Sequence, residues 1–594
     1  MKKLPLLLGA IFMSSSLYAM PMLAEKSSCK EETTSEIKTQ RACAAGNGYR
    51  GGRGWKRSWN SGWGRGLFGY YGFRQIGDNS DEEFTHFSTH KSCIQCHDNL
   101  RDSTGEDVSI VKDWKGSMMA NAAADPLWEA KVHTEILRNP SFRKVIEEKC
   151  STCHMPMAET QAKFDGEEIK MFDDGFLNKR NKYHKLAMDG VSCTICHQIK
   201  PDNLGDPSSF SGGYLVDKFT EKPYRKIYGP YQNPFDRPMI RQAQYQPVHS
   251  EHIKKSELCA TCHTLKTPTV YQGNVVGEFP EQTPYLEWKH SVYPQKGLTC
   301  QKCHMPDAKG SVRISTRPRR TSLPERKPFA KHHFVGGNVF ILSILKDNSY
   351  LLETPGSRYE ISKTIQRTLK FLQNETANLH IGTVSLKNGI LEFPVIVENK
   401  AGHKFPADLP IRRAWLHVVV KDKNGRVIFE SGAVRKDGKI IGADSDEDIT
   451  KYEPHYEVIT SEDQVQIYET IMKDYAGNIT YTFLNAYEYE KDNRILPEGF
   501  NKLTAPSDIA VKGKAFKDEN FIGGSDTVFY KIDTKGAKGP FTISVELRFQ
   551  TVTYPFFKDL LKDEDRSEYV RRFKRLYYTK PNTGVVIDKK EVRF

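Results

Sequence analysis

The sequence predicts an α+β, multidomain protein in which a helical and loop-rich domain is followed by a C-terminal β-sandwich. Two observations carry this prediction. Between residues 93 and 304 the motif C-x-x-C-H occurs five times among helix-compatible segments, and from about Thr376 onward apolar and polar residues alternate as in strands. The chain has 594 residues, of which 38% are apolar and 27% charged, so it is long enough for several domains with packed cores.

The N-terminus has the order of a secretory signal. Lys2 and Lys3 precede an apolar run from Leu4 to Met13, and small residues follow as far as Ala19. We therefore predict a signal peptide over residues 1–19 and an exported mature chain in the periplasm or at the outer cell surface. No later stretch approaches the ~20 apolar residues of a spanning helix, so no transmembrane segment is expected.

Residues 20–80 form a predicted leader that is rich in glycine, arginine and aromatic side chains. Glycine at this density makes a regular element entropically expensive. The segment is therefore either a flexible leader or an interaction arm that docks on another subunit or on a surface, which would lead to self-association. Cys29 and Cys43 are the two cysteines outside the repeated motif, and in an exported protein they either form a disulfide or remain free thiols.

The repeated motif is the attachment pattern of c-type haem. Two thiols three positions apart reach the two vinyl groups of a porphyrin, and the next residue offers its imidazole to the iron as the proximal ligand. The predicted thioether cysteines are Cys93, Cys96, Cys150, Cys153, Cys193, Cys196, Cys259, Cys262, Cys300 and Cys303. The predicted proximal ligands are His97, His154, His197, His263 and His304. We therefore expect five covalent haems.

Zinc is the competing interpretation of paired cysteines, because two C-x-x-C pairs can form one tetrahedral cage. Here every pair carries its own histidine and the number of pairs is odd. Haem is thus the expected cofactor. Five haems over such a short stretch must supply much of the core, so neighbouring haems should lie close together, and the short gaps in sequence pair the second motif with the third and the fourth with the fifth.

Thirteen of the 18 histidines remain for the distal positions, and most histidines of this kind are ordinary polar side chains. His184 lies upstream of the third motif. His249 and His252 precede the fourth motif and compete for one role, with His249 preferred. His332 closes the haem region, and His403 lies in a turn of the next domain, where by itself it would be a loop histidine.

The residues around the motifs resemble exported multihaem cytochromes of the cytochrome c-554 type over roughly residues 90–345. The resemblance rests on Trp114–Ala120 with Asp125-Pro126, on Asp189–Cys193, on Leu258–His263 and on His332–Asn338. A second part resembles the β-rich tail of larger members through Gly402–Pro406, Arg412–Trp415 and Lys491–Arg494. The resemblance implies electron transfer through closely spaced haems and distal ligands at His184, His332 and His403.

One departure from that family concerns Met119, which stands where relatives often carry histidine. A thioether there either ligates iron, which would raise the reduction potential of that haem, or packs on a porphyrin edge. If Met119 is not the ligand, His90 or His133 is the next candidate. Met119, His184, His249, His332 and His403 would together fill all five distal positions.

The segments Leu391–Val397, Trp415–Val420 and Phe541–Leu547 are predicted as strands, and Lys423-Asn424-Gly425 is a hairpin turn signal. The expected organisation is a haem domain over 81–345, a linker helix over 346–375 and a β-sandwich over 376–594. The net charge of +13 is a mild basic excess without a nucleic-acid motif, so acidic partners are expected and nucleic acid is not.

The sequence thus predicts an electron carrier rather than an enzyme, with redox proteins as its partners. Two alternatives stay open. A multihaem reductase of nitrite, hydroxylamine or a sulfur oxyanion would need an iron with an open distal position, and a subunit of a conductive extracellular filament would share the haem chemistry and differ in assembly.

Overall fold

The computed structural model describes residues 84–318, 323–407 and 409–594. The predicted signal peptide, the leader, Cys29 and Cys43 lie outside these residues. Ile76–Phe594 form one compact unit, in which helices and sheets both occur, as an α+β chain requires. Within the described residues, no helix is both long enough and apolar enough to cross a membrane.

The part that carries the motifs is built of short helices joined by long loops. Its helices are α1 (His90–His97), α2 (Ile110–Lys115), α3 (Pro126–Arg138), α4 (Arg143–His154), α5 (Pro156–Asp165), α6 (His184–Met188), α7 (Cys193–Cys196), α8 (Asp236–Ala243), α9 (Ser256–Ala260), α10 (Pro284–Lys289), α11 (Cys300–His304), α12 (Val339–Asp347) and α13 (Arg358–Glu375). Its strands are β1 (Lys226–Gly229), β2 (Gln246–His249), β3 (Leu265–Tyr271), β4 (Asn274–Gln282), β5 (Val312–Arg313) and β6 (Glu325–Arg326).

Helix α13 occupies most of the predicted linker and has a complete capping box. The Ser357 hydroxyl accepts a hydrogen bond from the backbone N–H of Glu360, whose carboxylate accepts one from the backbone N–H of Ser357. Such reciprocal bonds satisfy two backbone donors at the start of a helix and so fix where it begins. The helix leads directly into the first long strand of the C-terminal part.

The C-terminal part is dominated by strands. These are β7 (Ala377–Ile381), β8 (Ser385–Lys387), β9 (Ile390–Asn399), β10 (Arg413–Lys421), β11 (Val427–Ser431), β12 (Val458–Ile459), β13 (Ile467–Asp474), β14 (Ile479–Thr480), β15 (Ala486–Asp492), β16 (Ser525–Asp533), β17 (Thr542–Gln550) and β18 (Val585–Arg593). Three helices accompany them: α14 (Asp444–Glu447), α15 (Tyr554–Leu560) and α16 (Glu568–Tyr577). Strands β9 and β10 contain two of the segments that the alternation predicts, and β17 contains the third except for its first residue, Phe541.

The strands form two sheets. One has the order β12-β16-β9-β7 with β8 on β9, and the other has the order β14-β13-β10-β17-β18 with β11 on β10 and β15 on β13. Alternate side chains of β9 are buried, including Phe393 and Val395, and they share one core with Leu416 of β10 and Val545 of β17. Burial of these apolar side chains between the two sheets is the main stabilising contribution in this part.

The two parts also share a core. Leu127 of α3 and Ile341 of α12 pack in one cluster with Phe556 of α15 and Phe573 of α16. At the edge of this cluster Arg138 binds Asp559 and Asp563, with nitrogen–oxygen distances of 2.6 and 2.8 Å. The helical part and the strand-rich part are therefore held together by both apolar and ionic contacts.

Candidate haem-binding site

Each motif lies on or at the end of a short helix. Helices α1, α4 and α11 end on the motif histidine, while α7 ends one residue before His197 and α9 ends within the fourth motif. Residues three positions apart lie on the same face of a helix, so both cysteines of a motif can reach the same side of one porphyrin. The local structure therefore suits the chemistry that the spacing predicts.

All five motifs open into one continuous cavity of about 1620 Å³. All ten motif cysteines and all five motif histidines line it, together with many apolar and aromatic side chains such as Trp114, Tyr214 and Phe371. A wide apolar cavity lined by paired thiols and imidazoles fits a set of covalently attached porphyrins.

Hydrogen bonds fix the orientation of four of the motif imidazoles. Their Nδ1 atoms lie 2.6–3.2 Å from backbone carbonyl oxygens, and the pairs are His97–Ile314, His154–Ala122, His197–Tyr228 and His304–Val335. A carbonyl oxygen can only accept, so Nδ1 carries the proton and donates it. With the proton on Nδ1, Nε2 is the nitrogen that keeps a lone pair for a metal, which is the usual arrangement of ligating histidines.

Two of these imidazoles face a second imidazole at a distance that suits an iron atom between them. The ring centroids of His197 and His332 are 6.5 Å apart at 20°, and those of His304 and His403 are 6.3 Å apart at 10°. Two metal–nitrogen bonds of about 2 Å each, plus about 1.1 Å from each nitrogen to its ring centre, give about 6.2 Å. The structure thus brings each of these pairs, predicted separately along the chain, into the geometry of bis-histidine coordination.

Burial favours the neutral form of His304 and of His332. Burial and the adjacent His403 lower the pKa of His304 to about 4, and burial and the adjacent His197 lower the pKa of His332 to about 3. The Nδ1 atoms of His332 and His403 also face backbone carbonyls, at 3.2 Å from Ala330 and 3.0 Å from Lys404. Both members of each pair therefore contact a backbone carbonyl through Nδ1, which leaves Nε2 as the nitrogen for a metal.

His154 has a different neighbour. Its ring is stacked on Trp128, with the centroids 4.3 Å apart and the planes 4° from parallel. Trp128 therefore holds the face of this imidazole, as the carbonyl of Ala122 holds its Nδ1 atom. Nothing in the sequence marks Trp128 as a neighbour of His154, because this contact depends on how α3 packs against α4.

Met119 lines the cavity and is half-buried. Its carbonyl oxygen accepts a hydrogen bond of 3.0 Å from the backbone N–H of Val191, which places it beside the third motif. Gly190 makes this approach possible: its φ is +57°, and a Cβ atom there would lie 2.5 Å from the carbonyl oxygen of Ala120. The two segments that carry the family resemblance, Trp114–Ala120 and Asp189–Cys193, thus pack against each other.

The placement of His184 and His249 does not support the distal roles that the sequence assigns to them. The nitrogens of His184 lie 2.9 Å from the carbonyl oxygen of Phe176 and 3.4 Å from the carboxylate of Glu353. The Nε2 atom of His249 is 2.9 Å from the carboxylate of Glu251. In each case Nε2, the usual iron ligand, already has an acidic partner, a contact that spacing along the chain cannot reveal.

The competing candidates differ in their contacts: His252 is engaged at both nitrogens, whereas His90 is bound through Nδ1 and His133 makes ring contacts. Both nitrogens of His252 have partners, the hydroxyl of Ser250 at 2.6 Å and the carbonyl of Ile199 at 2.9 Å. The Nδ1 atom of His90 is bound to Asp189. His133 packs between the rings of Phe172 and Tyr569.

Cysteines of different motifs are neighbours in space. The Cys93 thiol is hydrogen-bonded to Cys193, which together with burial raises its pKa, and Cys259 is related to Cys300 in the same way. The hydrogen bond from Cys153 lowers the pKa of Cys262. The first motif therefore adjoins the third, the second adjoins the fourth, and the fourth adjoins the fifth.

These contacts change the pairing expected from the gaps in the sequence. The fourth and fifth motifs are neighbours as expected, whereas the sulfur contacts of the second motif are with the fourth. Cys196 of the third motif also lies near Cys262 of the fourth, and burial followed by that charge raises the pKa of Cys196 to about 12. These contacts connect all five motifs. The first motif is next to the third, the third is next to the fourth, and the fourth is also next to the second and the fifth.

A separate buried cluster, His455 with Asp518 and Asp526, has residue types that suit a metal. Its hydrogen bonds argue otherwise. The Nδ1 atom of His455 faces the amide nitrogens of Gln466 and Asn493 at 2.9 and 3.1 Å, so it must accept. Nε2 then carries the proton and donates it to Asp518 at 3.0 Å, which leaves no lone pair for a metal. The cluster is therefore a hydrogen-bond network of the strand-rich part.

No protein-family model matches the chain, and no curated protein matches it. Among solved structures, a penta-heme cytochrome c552 from Thermochromatium tepidum is similar to it. The TM-score is 0.48 and the sequence identity 16%, over 86% of this chain and 99% of that one. A likeness this distant assigns no function, which is therefore argued from the motifs and the geometry.

Proposed function

We propose that the chain is an exported multihaem c-type cytochrome that relays electrons through five covalently bound haems. The observation that carries the proposal is the convergence of five complete C-x-x-C-H motifs on one cavity. The apolar lining of that cavity, the anchored imidazoles and the two facing histidine pairs all support it. In this proposal residues 81–345 form the haem domain and residues 376–594 form a β-sandwich that supplies one ligand.

The ten motif cysteines would hold the porphyrins, and the five motif histidines would be the proximal ligands. His332 would be the distal ligand opposite His197, and His403 the distal ligand opposite His304. Met119 is the remaining predicted distal ligand that lines the cavity. When bound, the haems supply one-electron redox chemistry, and the protein sets their potentials through axial ligands and burial.

Electron relay follows from the neighbouring motifs. Because thiols of different motifs are neighbours, porphyrins attached to them would lie close together, which would allow electrons to pass from one to the next. The location in the periplasm or at the outer cell surface is supported by the signal-like N-terminus, and redox proteins with acidic surfaces are the proposed partners. Self-association through the leader stays a prediction.

The reductase alternative has one observation in its favour. Of His97, His197, His263 and His304, only His197 and His304 have a second imidazole at the distance that iron requires among the described residues. An iron held by His97 or by His263 would therefore have an exchangeable distal position. Such a site would bind nitrite or hydroxylamine, whereas a pure relay would not.

Production in a host that matures c-type cytochromes tests both functions. We expect five haem additions in the mass of the mature chain and an electron paramagnetic resonance spectrum of the oxidised protein that includes low-spin, bis-histidine signals. Four or fewer haems would contradict the proposal. A high-spin signal that disappears when nitrite or hydroxylamine is added, with turnover of that compound, would favour the reductase.

A further inference from the structure

A buried network of four charged side chains surrounds the loop that carries His403. It consists of Glu287, Lys404, Asp492 and Arg494, which are between 0 and 4% exposed. Glu287 lies on α10, shortly before the fifth motif, whereas Asp492 ends β15 and Arg494 follows it. We infer that this network, hereafter the charge latch, positions His403 as the distal ligand of the fifth haem; the inference rests on the proposed function.

The contacts of the charge latch are short and specific. The Lys404 ammonium lies 2.6 Å from a carboxylate oxygen of Asp492, whose two oxygens also accept hydrogen bonds of 3.0 and 2.8 Å from the Arg494 guanidinium. The same guanidinium is 2.9 Å from Glu287. Two cations and two anions therefore balance in a region without solvent, where an unpaired charge is strongly unfavourable.

The main chain of residue 404 is held as firmly as its side chain. The second carboxylate oxygen of Glu287 accepts a hydrogen bond of 3.0 Å from the backbone N–H of Lys404. The carbonyl oxygen of His403 accepts one of 2.9 Å from the Asn399 side chain. Since His403 is fixed by bonds at its own carbonyl and at the next N–H, its imidazole has little freedom to leave the position opposite His304.

The loop also approaches α10 closely. A Cβ atom at Gly402 would lie 3.2 Å from the Trp288 ring, and the hydroxyl of Tyr293 donates a hydrogen bond of 2.6 Å to the carbonyl of Lys400. On its other side, Phe405 exchanges two backbone hydrogen bonds with Ile495. The charge latch thus joins α10, which precedes the fifth motif, to the strand-rich part at the point where that part supplies a ligand.

The side chains of the segment Lys491–Arg494 alternate between two sides, so the segment contributes both to the charge latch and to the sheet. Asp492 and Arg494 point toward Lys404, while Lys491 and Asn493 point to the opposite side. There the Lys491 ammonium lies 2.9 Å from Glu469, and the Asn493 amide nitrogen is 2.8 Å from the carbonyl of Ile467. Successive side chains of an extended segment face opposite ways, so one short motif serves the charge latch with half of its residues and the sheet with the other half.

The test compares Asp492→Asn with Glu469→Gln in the full-length holoprotein. Both substitutions neutralise a buried carboxylate that accepts a lysine, but only Asp492 belongs to the charge latch. We expect Asp492→Asn to retain five haems. Because His403 would be less firmly positioned at one haem of the five, up to one-fifth of the iron should change from low-spin to high-spin. Glu469→Gln should lower the thermal stability and leave the spin state unchanged.

His403→Ala is the reference for the same haem. The double variant His403→Ala with Asp492→Asn should show no more high-spin iron than His403→Ala alone, because both changes act on one ligand. If Asp492→Asn does not yield folded protein, Arg494→Lys, which keeps the charge and removes the forked contact, is measured with the same expectations.

The outcomes separate the inference from the proposed function. Two results would overturn the positioning role. One is an Asp492→Asn spectrum that is as low-spin as that of Glu469→Gln, and the other is a double variant with more high-spin iron than His403→Ala alone. Missing haems, or an unchanged low-spin spectrum in His403→Ala itself, would instead overturn the proposed haem attachment or the distal role of His403, and the positioning role with it.

Discussion

At the residue scale, the second nitrogen of each imidazole distinguishes a ligand from an ordinary buried histidine. His197, His304, His332 and His403 bond through Nδ1 to backbone carbonyls, and their rings face one another in pairs. His184 is buried as well, but its Nε2 atom faces Glu353. Burial alone therefore does not select the proposed ligands, whereas an opposite ring and an Nε2 atom without an acidic partner do.

A substitution at His332 tests this criterion. We expect His332→Ala to keep five haems while one haem, one-fifth of the iron, becomes high-spin and binds added imidazole, because the third iron loses its distal nitrogen. The matched control is His184→Ala, which removes another buried imidazole. Electron paramagnetic resonance and the visible spectrum measure the change, and a high-spin signal in the His184 variant instead would show that His184, and not His332, is a ligand.

At the scale of elements, short helices hold the motifs and the loops between them fix the geometry. Helix α7 comprises only the four residues Cys193–Cys196, which is too short to be stable by itself. It is held by its surroundings: Trp114 donates a hydrogen bond of 2.9 Å to the carbonyl of Val191, and the left-handed turn at Gly190 lets the segment 117–120 approach. The motif helix thus depends on a neighbouring segment for its position.

Gly190→Ala should disturb this contact more than an equivalent change elsewhere. A methyl group there would lie 2.5 and 2.7 Å from the carbonyl oxygens of Ala120 and Met119, in addition to the strain of a positive φ. Gly166, with a φ of +77° and open space around it, is the control. We expect Gly190→Ala to lower the free energy of unfolding by about 1–3 kcal/mol more than Gly166→Ala. Denaturant unfolding measures both, and equal losses would show that the segment 117–120 can move away.

At the scale of the whole molecule, the helical and strand-rich parts belong to one compact unit. Leu127, Ile341 and Phe556 share one apolar cluster across the two parts. Arg138 adds a buried ionic contact to Asp559 and Asp563, and although burial raises the pKa of Asp559, the guanidinium outweighs it and lowers that pKa. The strand-rich part is therefore packed against the part that carries the motifs, and in the proposed function it contributes His403 as a ligand.

Arg138→Ala tests the importance of this contact. Removing the guanidinium takes away the cation that contacts two buried carboxylates, so we expect the free energy of unfolding to fall by about 3 kcal/mol. Both parts should still unfold in one transition. Lys296→Ala is the control, because its ion pair with Glu498 also joins the two parts but is about half exposed on each side. That change should cost less than about 1 kcal/mol. Two separate transitions in the wild-type protein would contradict the shared core.

The sequence by itself predicts the covalent part of the proposed site. The chemistry of thioether attachment acts over five consecutive residues, so the spacing of Cys93, Cys96 and His97, and of the four other motifs, is sufficient to predict it. The strands β9, β10 and β17 were equally predictable, because alternation of apolar and polar residues is a local pattern. The capping box of α13 is local too, and the helix begins at Arg358, twelve residues after the start of the predicted linker at residue 346.

Only the tertiary structure decided which other residues meet those motifs. His332 faces His197 across 135 residues of chain, and His403 faces His304 across 99, and nothing in the local sequence distinguishes them from His184 or His249. The charge latch likewise joins α10 to a segment some 200 residues away. Covalent and strand patterns depend on neighbours along the chain, whereas distal ligation and buried charge pairing depend on which distant segments are brought together, and that is set by the packing of the whole molecule.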